Sequence, residues 1–236
     1  MTARTAAVLA GGLGTRLAPA LPGVPKALAP VAGEPFLAKL LRWAAAGGTE
    51  RAVLLCGHLA PALEGFARGW NAAGRGPVVD ISVEPAPLGT GGAVRFALER
   101  LPEEFFLLNG DTLCPVPLGS MAEAHRRGGA AATLAAVHEA EGASRGALEM
   151  DQEDRVLGFA EKGRRGPGWI NAGVYRLRRS LFEGLPAGAA ASLETDLLPA
   201  WIARGERVRA FRTDAPFLDI GTPADWDRAQ TEGWLP

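Results

Sequence analysis

The sequence predicts an α/β fold built on a doubly wound, mainly parallel sheet. Short apolar segments alternate with helical ones through the first half of the chain, a pattern typical of parallel strands joined by helices. Several apolar segments are followed at once by glycine or acidic residues, and ligands of such sheets collect beyond the carboxyl ends of the strands. With 236 residues, 47% of them hydrophobic, the chain can form one large domain with a sizeable core.

The first half contains four predicted strands and four predicted helices. Each strand is a short run of apolar residues, and each helix has apolar residues at helical spacing. The first helix ends at the pair Gly47-Gly48, as helices often do. The strands cover residues 5–9, 52–55, 78–83 and 105–108, and the helices cover residues 36–46, 61–73, 92–100 and 119–127.

The second half is richer in strands. Thr222 and Pro223 predict the start of its final helix, because threonine caps a helix and proline suits the first helical position. The strands cover residues 131–137, 147–150, 156–159, 169–177, 208–211 and 217–220, and the helices cover residues 194–203 and 223–231.

Composition excludes several classes of partner. The net charge of −1 and the pI of about 6.3 give no basic field for nucleic acid. No apolar run approaches the roughly 20 residues that span a bilayer, and the first residues enter a strand without forming a signal peptide. Cys56 and Cys114 lack metal-ligand spacing and are expected to be buried, reduced thiols, so we expect a cytoplasmic protein. The sequence leaves the oligomeric state open between a monomer and a homo-oligomer.

A glycine-rich loop follows the first strand. It reads Leu9-Ala10-Gly11-Gly12-Leu13-Gly14-Thr15-Arg16-Leu17, and Pro25-Lys26 comes shortly after it. Because glycines leave the backbone uncovered, its N–H groups can surround an anion. Arg16 and Lys26 add two cations, so the pattern indicates a polyphosphate site. The alternative is a glycine-rich turn without a ligand.

Two familiar phosphate loops do not match this segment. A P-loop needs Gly-Lys-Ser/Thr at the start of a helix, and that sequence is absent. A dinucleotide-binding loop also runs straight into a helix, whereas the prolines at positions 19, 22, 25 and 30 prevent a regular helix here. A dinucleotide-dependent dehydrogenase is therefore disfavoured.

Two carboxylates follow separate apolar strands. Asp111 comes after Asn109-Gly110, and Asp219 precedes Ile220-Gly221. Mg²⁺ in nucleotide sites takes a few carboxylates together with phosphate oxygens and water. The pair therefore predicts a Mg²⁺ site beside the glycine loop; the alternative is an aspartate that caps a turn or helix at each position.

A second loop of small residues, 84–92, follows the third strand. Pro85 and Pro87 fix its path, and its glycines permit a close approach of the backbone to a base or a sugar. Ionised Glu84 only accepts hydrogen bonds, so it complements the adjacent N1–H and N2–H₂ donors of guanine better than uracil or thymine. The alternative is a solvated loop glutamate.

Together these motifs resemble those of the sugar-1-phosphate nucleotidyltransferases. The resemblance extends over nearly the whole chain. It is carried by residues 9–17, Pro25-Lys26, residues 84–92, Leu108-Asn109-Gly110-Asp111, Phe159-Ala160-Glu161-Lys162, Ile170-Asn171-Ala172-Gly173-Val174-Tyr175 and Asp219-Ile220-Gly221-Thr222-Pro223.

The resemblance implies a Rossmann-like mixed sheet and a Mg²⁺-dependent reaction. A nucleoside monophosphate would pass from an NTP to a sugar 1-phosphate, with release of pyrophosphate. Residues 87–93 and 192–196 are most similar to guanylyltransferases, in particular to compact enzymes acting on D-glycero-α-D-manno-heptose 1-phosphate with GTP. We expect no C-terminal β-helix, because the sequence contains no hexapeptide repeats. We expect one domain over residues 1–236, with a nucleotide-binding part to about residue 130 and a sugar-binding part from about residue 131.

The resemblance also assigns roles to individual residues. Arg16, Lys26 and Asp111 would be catalytic, Arg16 on the β- and γ-phosphates and Lys26 on the α-phosphate. Asp111 and Asp219 would hold the metal. The nucleotide would contact Leu9, Ala10, Gly11, Gly12, Gly14, Thr15, Glu84, Gly89 and Thr90. The sugar phosphate would contact Asn109, Gly146, Glu161, Lys162, Asn171 and Glu194. Ser144-Arg145-Gly146 departs from the Tyr-Gly of many members, which leaves the sugar selectivity open.

Other functions remain to be distinguished. The alternatives are a mannose 1-phosphate guanylyltransferase, a uridylyl- or thymidylyltransferase for another sugar phosphate, and a catalytically silent sensor of nucleotide sugars. The three histidines, His58, His125 and His138, are scattered and lack a nucleophilic partner in sequence, which disfavours a histidine-based mechanism.

Overall fold

The computed structural model describes residues 4–12, 14–140, 147–159 and 166–232. Its centre is a seven-stranded sheet with helices on both faces. The strands of the described residues are β1 (Thr5–Leu9), β2 (Pro30–Val31), β3 (Glu34–Pro35), β4 (Arg51–Cys56), β5 (Val78–Val83), β6 (Glu104–Asn109), β7 (Thr112–Leu113), β8 (Ala132–Glu139), β9 (Leu148–Met150), β10 (Val156–Phe159), β11 (Gly168–Arg178), β12 (Val208–Thr213) and β13 (Leu218–Asp219).

The sheet is mixed but mainly parallel, as predicted. Its order is β12-β8-β11-β6-β1-β4-β5. β1 pairs in parallel with β4 and β6, β4 with β5, and β8 with β12, whereas β11 runs antiparallel to both of its neighbours. Strands from both halves of the chain therefore lie in one sheet.

The helices follow the strands much as the sequence predicts. Their bounds are α1 (Phe36–Ala46), α2 (Ala60–Ala73), α3 (Gly89–Phe96), α4 (Leu118–Arg127), α5 (Leu198–Ala203) and α6 (Pro223–Ala229). Thr222 caps α6 by accepting the backbone N–H of Asp225. Within the described ranges, every helix is too short or too polar to cross a bilayer.

Two helices depart from the sequence prediction. α3 begins three residues earlier than predicted and gives way to a short 3-10 turn over Leu98–Arg100. The predicted helix over residues 194–203 is divided into a π-helical turn, Leu193–Leu197, and α5. Pro199 lies in the first turn of α5, and a proline has no N–H for a regular helical bond to the preceding turn.

The core lies on both faces of the sheet. Val8, Leu54 and Leu108 face one side and pack in a cluster with residues of α1 and α2. Ala7, Leu55 and Leu107 face the other side, in a cluster that contains Trp201 of α5. Because both faces are covered, the central strands are continuous apolar runs and not alternating ones.

The register brings the ends of four parallel strands to one edge. Leu9 of β1 is opposite both Leu55 of β4 and Asn109 of β6, and Cys56 is opposite Val83 of β5. The segments that follow these residues therefore begin side by side at the carboxyl edge of the sheet.

Candidate active site

The glycine loop lies at this edge, and its three described glycines differ in environment. A Cβ on Gly11 would lie 2.8 Å from the backbone nitrogen of Gly57, so no larger residue fits without a shift. Gly14 has a φ of +58°, and its carbonyl accepts hydrogen bonds from the N–H groups of Leu17 and Ala18. Gly12 is exposed and has open space at its Cβ position. Gly12 is therefore the glycine that leaves room for a ligand.

Lys26 and Asp111 form the charged centre of the site. The Lys26 Nζ atom lies 2.5 Å from Asp111 Oδ2 and 4.0 Å from Asp219 Oδ1. The lysine side chain is only 13% exposed, which strengthens its interaction with both carboxylates. One ammonium group therefore lies between the two predicted metal ligands.

Asp219 reaches this centre because of a small two-stranded sheet. β13 pairs antiparallel with β7, with Asp219 opposite Thr112, and the N–H of Ile220 donates to the Asp111 carbonyl. Asp219 Oδ1 also accepts the N–H of Gly221 at 2.5 Å. Asp219 thus caps a turn, as the alternative interpretation predicted, and it lies beside Lys26 as well.

The two carboxylates are oxygen donors of the kind that Mg²⁺ prefers. Mg²⁺ commonly binds through one or two carboxylates and completes its shell with water and phosphate oxygens. Asp111 and Asp219 fit that donor set. Among the described residues, no group of three or more histidine, cysteine or acidic side chains is arranged to hold a metal by itself.

Glu84 lies where β5 ends, next to the end of β4. Its backbone N–H donates to the Cys56 carbonyl at 2.8 Å, and its Oε2 atom accepts the N–H of Leu88 at 3.4 Å. Partial burial raises the pKa of the Glu84 carboxyl. A Cβ on Gly57 would lie 2.6 Å from Glu84 Oε1, so glycine at position 57 is required for this placement of the carboxylate.

The loop after Glu84 makes its closest contacts with the same chain. A Cβ on Gly89 or Gly92 would lie 2.6 Å from the carbonyl oxygen of Ala191 or Ala189, respectively. The Ala191 carbonyl also accepts the N–H groups of Gly91 and Gly92. The sequence predicts that these glycines permit a close approach of a base or a sugar. In the structure it is the backbone of residues 189–191 that approaches them closely. This contact also explains the early start of α3.

Two of the predicted sugar contacts lie in one hydrogen-bonded group. Asn171 is on β11, and its Nδ2 atom donates to the Tyr175 hydroxyl, which donates to Glu194. β11 changes register between Asn171 and Tyr175, with Gly173 at a φ of +72°. Asn109 has a buried Oδ1 atom without a hydrogen-bond partner in the described part of the chain. The other three predicted sugar contacts, Gly146, Glu161 and Lys162, lie outside the described residues.

A cleft of about 700 Å³ joins these segments. Every residue predicted to bind nucleotide lines this cleft, and so do Arg16, Lys26, Asn109 and Asp111. Asp219, Asn171 and Glu194 stand outside its lining. The predicted residues that line it are Leu9, Ala10, Gly11, Gly12, Gly14, Thr15, Arg16, Lys26, Glu84, Gly89, Thr90, Asn109 and Asp111.

The sequence interpretation missed His58 as a residue of the cleft. His58 is exposed, lies two positions after β4 and lines the cleft together with Gly57. The available signal was its position, because it follows a parallel strand at the same edge as the glycine loop. Tyr175 was also missed, although it belongs to a motif that carried the family resemblance.

The fold and the cleft together define a nucleotide-binding α/β protein. Glycine backbone, a half-buried lysine and two carboxylates meet at the carboxyl edge of a mainly parallel sheet. Comparison with known families gives a narrower result, because the Nucleotidyl transferase family model matches residues 5–232. The chain belongs to this family.

Two curated relatives are 34% identical to the chain. A D-glycero-alpha-D-manno-heptose 1-phosphate guanylyltransferase of Aneurinibacillus thermoaerophilus aligns with 96% of this chain and 97% of its own length. A mannose-1-phosphate guanylyltransferase of Mycobacterium tuberculosis aligns with 96% of this chain, which spans 64% of that longer protein. These homologues are guanylyltransferases for sugar 1-phosphates.

Crystal structures of HddC from Yersinia pseudotuberculosis have the same fold. One matches with a TM-score of 0.85 and 32% identity, over 96% of this chain and 97% of that chain. A second HddC structure is complexed with GMP-PN and matches with a TM-score of 0.83. The architecture is therefore shared with a structural neighbour over almost the full length of both chains.

Proposed function

We propose that the protein transfers GMP from GTP to a sugar 1-phosphate, with D-glycero-α-D-manno-heptose 1-phosphate as the sugar substrate. The observation that carries the proposal is the cleft that brings the glycine loop, the Lys26–Asp111 pair and Glu84 together. The heptose assignment is supported by the heptose enzyme that is 34% identical and matches along nearly its whole length. The two buried free cysteines support a reducing, cytoplasmic location.

The residues of the cleft suit a direct displacement at phosphorus. An oxygen of the sugar phosphate attacks the α-phosphorus of GTP, and the bond from that phosphorus to the pyrophosphate oxygen breaks. The attacking oxygen is already anionic and needs no general base. Because the barrier is chiefly repulsion between anions, alignment and positive charge supply most of the catalysis.

Lys26 and Arg16 provide positive charge at different places. Lys26 is half-buried beside Asp111 and would bind the α-phosphate. Arg16 is exposed and lines the same cleft, and it would bind the β- and γ-phosphates. Asp111 and Asp219 would hold Mg²⁺, which when bound neutralises charge on phosphate oxygens. Lys26, Arg16 and the metal would thus neutralise the negative charge of the triphosphate at different positions.

Glu84 would select guanine. Its carboxylate is held by the turn to Leu88 and lines the cleft. An ionised carboxylate accepts two hydrogen bonds side by side, which matches the N1–H and N2–H₂ donors of guanine. Uracil and thymine present a single donor between acceptors, so their acceptors would face a negative charge.

A second sugar substrate has specific support. The mannose-1-phosphate guanylyltransferase of M. tuberculosis is also 34% identical to this chain. Mannose 1-phosphate is therefore the alternative acceptor of GMP.

The deciding experiment is a pyrophosphate-release assay that crosses four NTPs with a panel of sugar 1-phosphates in the presence of Mg²⁺. We expect turnover with GTP and the heptose phosphate, and omission of Mg²⁺ should abolish it. A preference for mannose 1-phosphate would instead identify the protein as a mannose 1-phosphate guanylyltransferase. Turnover with UTP or dTTP but not GTP would contradict the base assignment, and tight binding of a nucleotide sugar without turnover would indicate a sensor.

A further inference from the structure

The hydroxyl of Tyr175 lies in the middle of a partly buried chain of polar side chains. Asn171 Nδ2 donates to it at 2.7 Å, and the hydroxyl lies 3.1 Å from Glu194 Oε1. Tyr175 has no exposed surface. A phenol in such a position must have partners for its polar atom, and Tyr175 has one on each side.

The direction of these hydrogen bonds is fixed by chemistry. An amide nitrogen can only donate and an ionised carboxylate can only accept, so the phenol accepts from Asn171 and donates to Glu194. Burial raises the pKa of Tyr175 well above its usual value, which keeps the donating proton in place. The orientation of Glu194 is therefore coupled to that of Asn171.

The chain of hydrogen bonds continues into the cleft. Glu194 Oε2 accepts the Thr90 hydroxyl at 2.9 Å and the Ser192 hydroxyl at 3.2 Å. The Thr90 hydroxyl in turn accepts the backbone N–H of Leu193 at 2.7 Å. Thr90 itself lines the nucleotide cleft. Unbroken hydrogen bonds thus run from Thr90 through Glu194 and Tyr175 to Asn171.

We propose that Tyr175 is a positioning residue that fixes Asn171 and Glu194 for the sugar 1-phosphate and joins them to the nucleotide cleft at Thr90. The inference rests on the proposed function and on the sugar contacts of Asn171 and Glu194 that the resemblance to sugar-1-phosphate nucleotidyltransferases implies. Tyr175 does not touch a substrate. It acts by holding two side chains in place before the sugar arrives, which reduces the entropy lost on binding.

The kinetic test is Tyr175→Phe, which keeps the buried ring and removes only the hydroxyl. Loss of a hydrogen bond to a charged group should raise the KM for the sugar 1-phosphate about tenfold, while the KM for GTP stays within about twofold. Thr133→Val is the matched control, because it removes a buried hydroxyl that contacts His125 outside the cleft. A purely structural role for Tyr175 would change both KM values together or neither, and either result would overturn the proposal.

Thr90 provides a second kinetic arm. Thr90→Val removes the hydroxyl that binds Glu194, whereas Thr90→Ser retains it. We expect Thr90→Val to raise the KM for the sugar 1-phosphate as Tyr175→Phe does. Thr90→Ser should have a lower KM for the sugar 1-phosphate than Thr90→Val, because it keeps the hydroxyl. Equal KM values for the valine and serine variants would contradict the link between Thr90 and Glu194.

A spectroscopic test does not depend on turnover. Tyr175 is the only tyrosine of the chain, so incorporation of ¹³Cζ-tyrosine gives a single resonance that reports on its hydroxyl. We expect this resonance to shift in Thr90→Val and on addition of GTP to the wild type, and to stay in place in Thr133→Val. A resonance unmoved by both Thr90→Val and GTP would overturn the proposal. Absence of turnover with every substrate pair would instead reject the proposed function, and the response to Thr90→Val would still report on the hydrogen-bonded chain.

Discussion

At the scale of single residues, neighbouring glycines of one loop serve different purposes. Gly11 allows strand β1 to continue into the loop against the backbone of Gly57, whereas Gly12 faces open space. The sequence alone could not separate the two, since they are adjacent glycines of the same loop. Only the register of β1 against β4 shows which glycine packs against protein.

This difference predicts opposite effects of alanine at the two positions. Gly11→Ala should lower the free energy of unfolding, because its Cβ would clash with backbone atoms that cannot move alone. Gly12→Ala should leave stability unchanged and weaken GTP binding about tenfold, because a methyl group would occupy space for the phosphates. Urea unfolding and calorimetric titration with GTP measure the two effects. Unchanged GTP affinity in Gly12→Ala would contradict a phosphate site at this glycine.

Lys26 lies between the carboxylates that would hold the metal. Lys26→Met should lower kcat by about 10²–10³-fold, because a positive charge at the reacting phosphate is lost. The same variant should bind Mn²⁺ more tightly than the wild type in the absence of nucleotide, because the ammonium no longer competes for Asp111. Electron paramagnetic resonance of free Mn²⁺ measures that affinity.

The matched control is Lys39→Met. Lys39 is a buried lysine that pairs with Glu34 at 2.9 Å, away from the residues of the cleft. Its loss should reduce stability and leave kcat and Mn²⁺ affinity unchanged. Near wild-type turnover in Lys26→Met would contradict the role assigned to this residue.

At the scale of elements, local patterns predicted the centres of most strands and helices. α1 and β5 have the predicted bounds, because Gly47-Gly48 ends the helix and an apolar run defines the strand. α3 could not be placed correctly, since its start depends on the carbonyl of Ala191, about a hundred residues further along the chain. Tertiary contacts of this kind leave no local signal.

The contact between α3 and residues 189–191 makes a prediction about helical glycines. Gly92→Ala should destabilise the protein despite alanine's higher helix propensity, because the added Cβ would lie 2.6 Å from the Ala189 carbonyl oxygen. Gly69→Ala in α2 is the control: the space there is open, and alanine should stabilise by about 1 kcal/mol. Thermal unfolding of both variants measures the difference, and a stabilising Gly92→Ala would contradict the tight contact.

At the scale of the whole molecule, the fold class and the position of the cleft followed from the sequence. Parallel strands predict that the glycine loop, Glu84 and Asp111 meet at one edge, and the structure brings them there. The approach of Asp219 to Lys26 depends on the pairing of β13 with β7. The sequence predicted a strand over residues 217–220 but not β7, because two residues are too few to show a strand pattern. The chain from Thr90 to Asn171 was missed because its members lie on three separate elements.

Burial of an uncharged histidine makes the stability of the whole molecule depend on pH. His125 is fully buried, and its Nδ1 atom lies 2.9 Å from the Thr133 hydroxyl. Burial lowers the pKa of His125 from 6.5 to about 4; Glu104 opposes this shift, and three arginines, Arg126, Arg176 and Arg178, reinforce it. His125 is therefore protonated below about pH 6.5 in the unfolded chain but only below about pH 4 in the folded protein.

The free energy of unfolding should consequently fall by about 2 kcal/mol as the pH decreases from about 7 to about 5. His125→Gln should remove this slope, whatever its effect on absolute stability. Urea unfolding at a series of pH values tests the prediction. Glu34 does not interfere in this range, because its carboxyl pKa is lowered from 4.5 to about 2. The stability that its ionised form adds is lost only as the pH falls below 4.5. A slope retained in His125→Gln would show that another group is responsible.

The segments around the cleft contact distant parts of the chain, and these contacts also bear on how the protein folds during synthesis. The N–H groups of Gly91 and Gly92 donate to the Ala191 carbonyl. Trp226 of α6 and Gln230, the residue after α6, donate to the Pro30 carbonyl in the hairpin just after Lys26. Such long sequence separations slow folding. A growing chain on the ribosome is therefore not expected to assemble a cleft that binds GTP until residues as far as Gln230 have emerged, so partly made molecules should not sequester nucleotide.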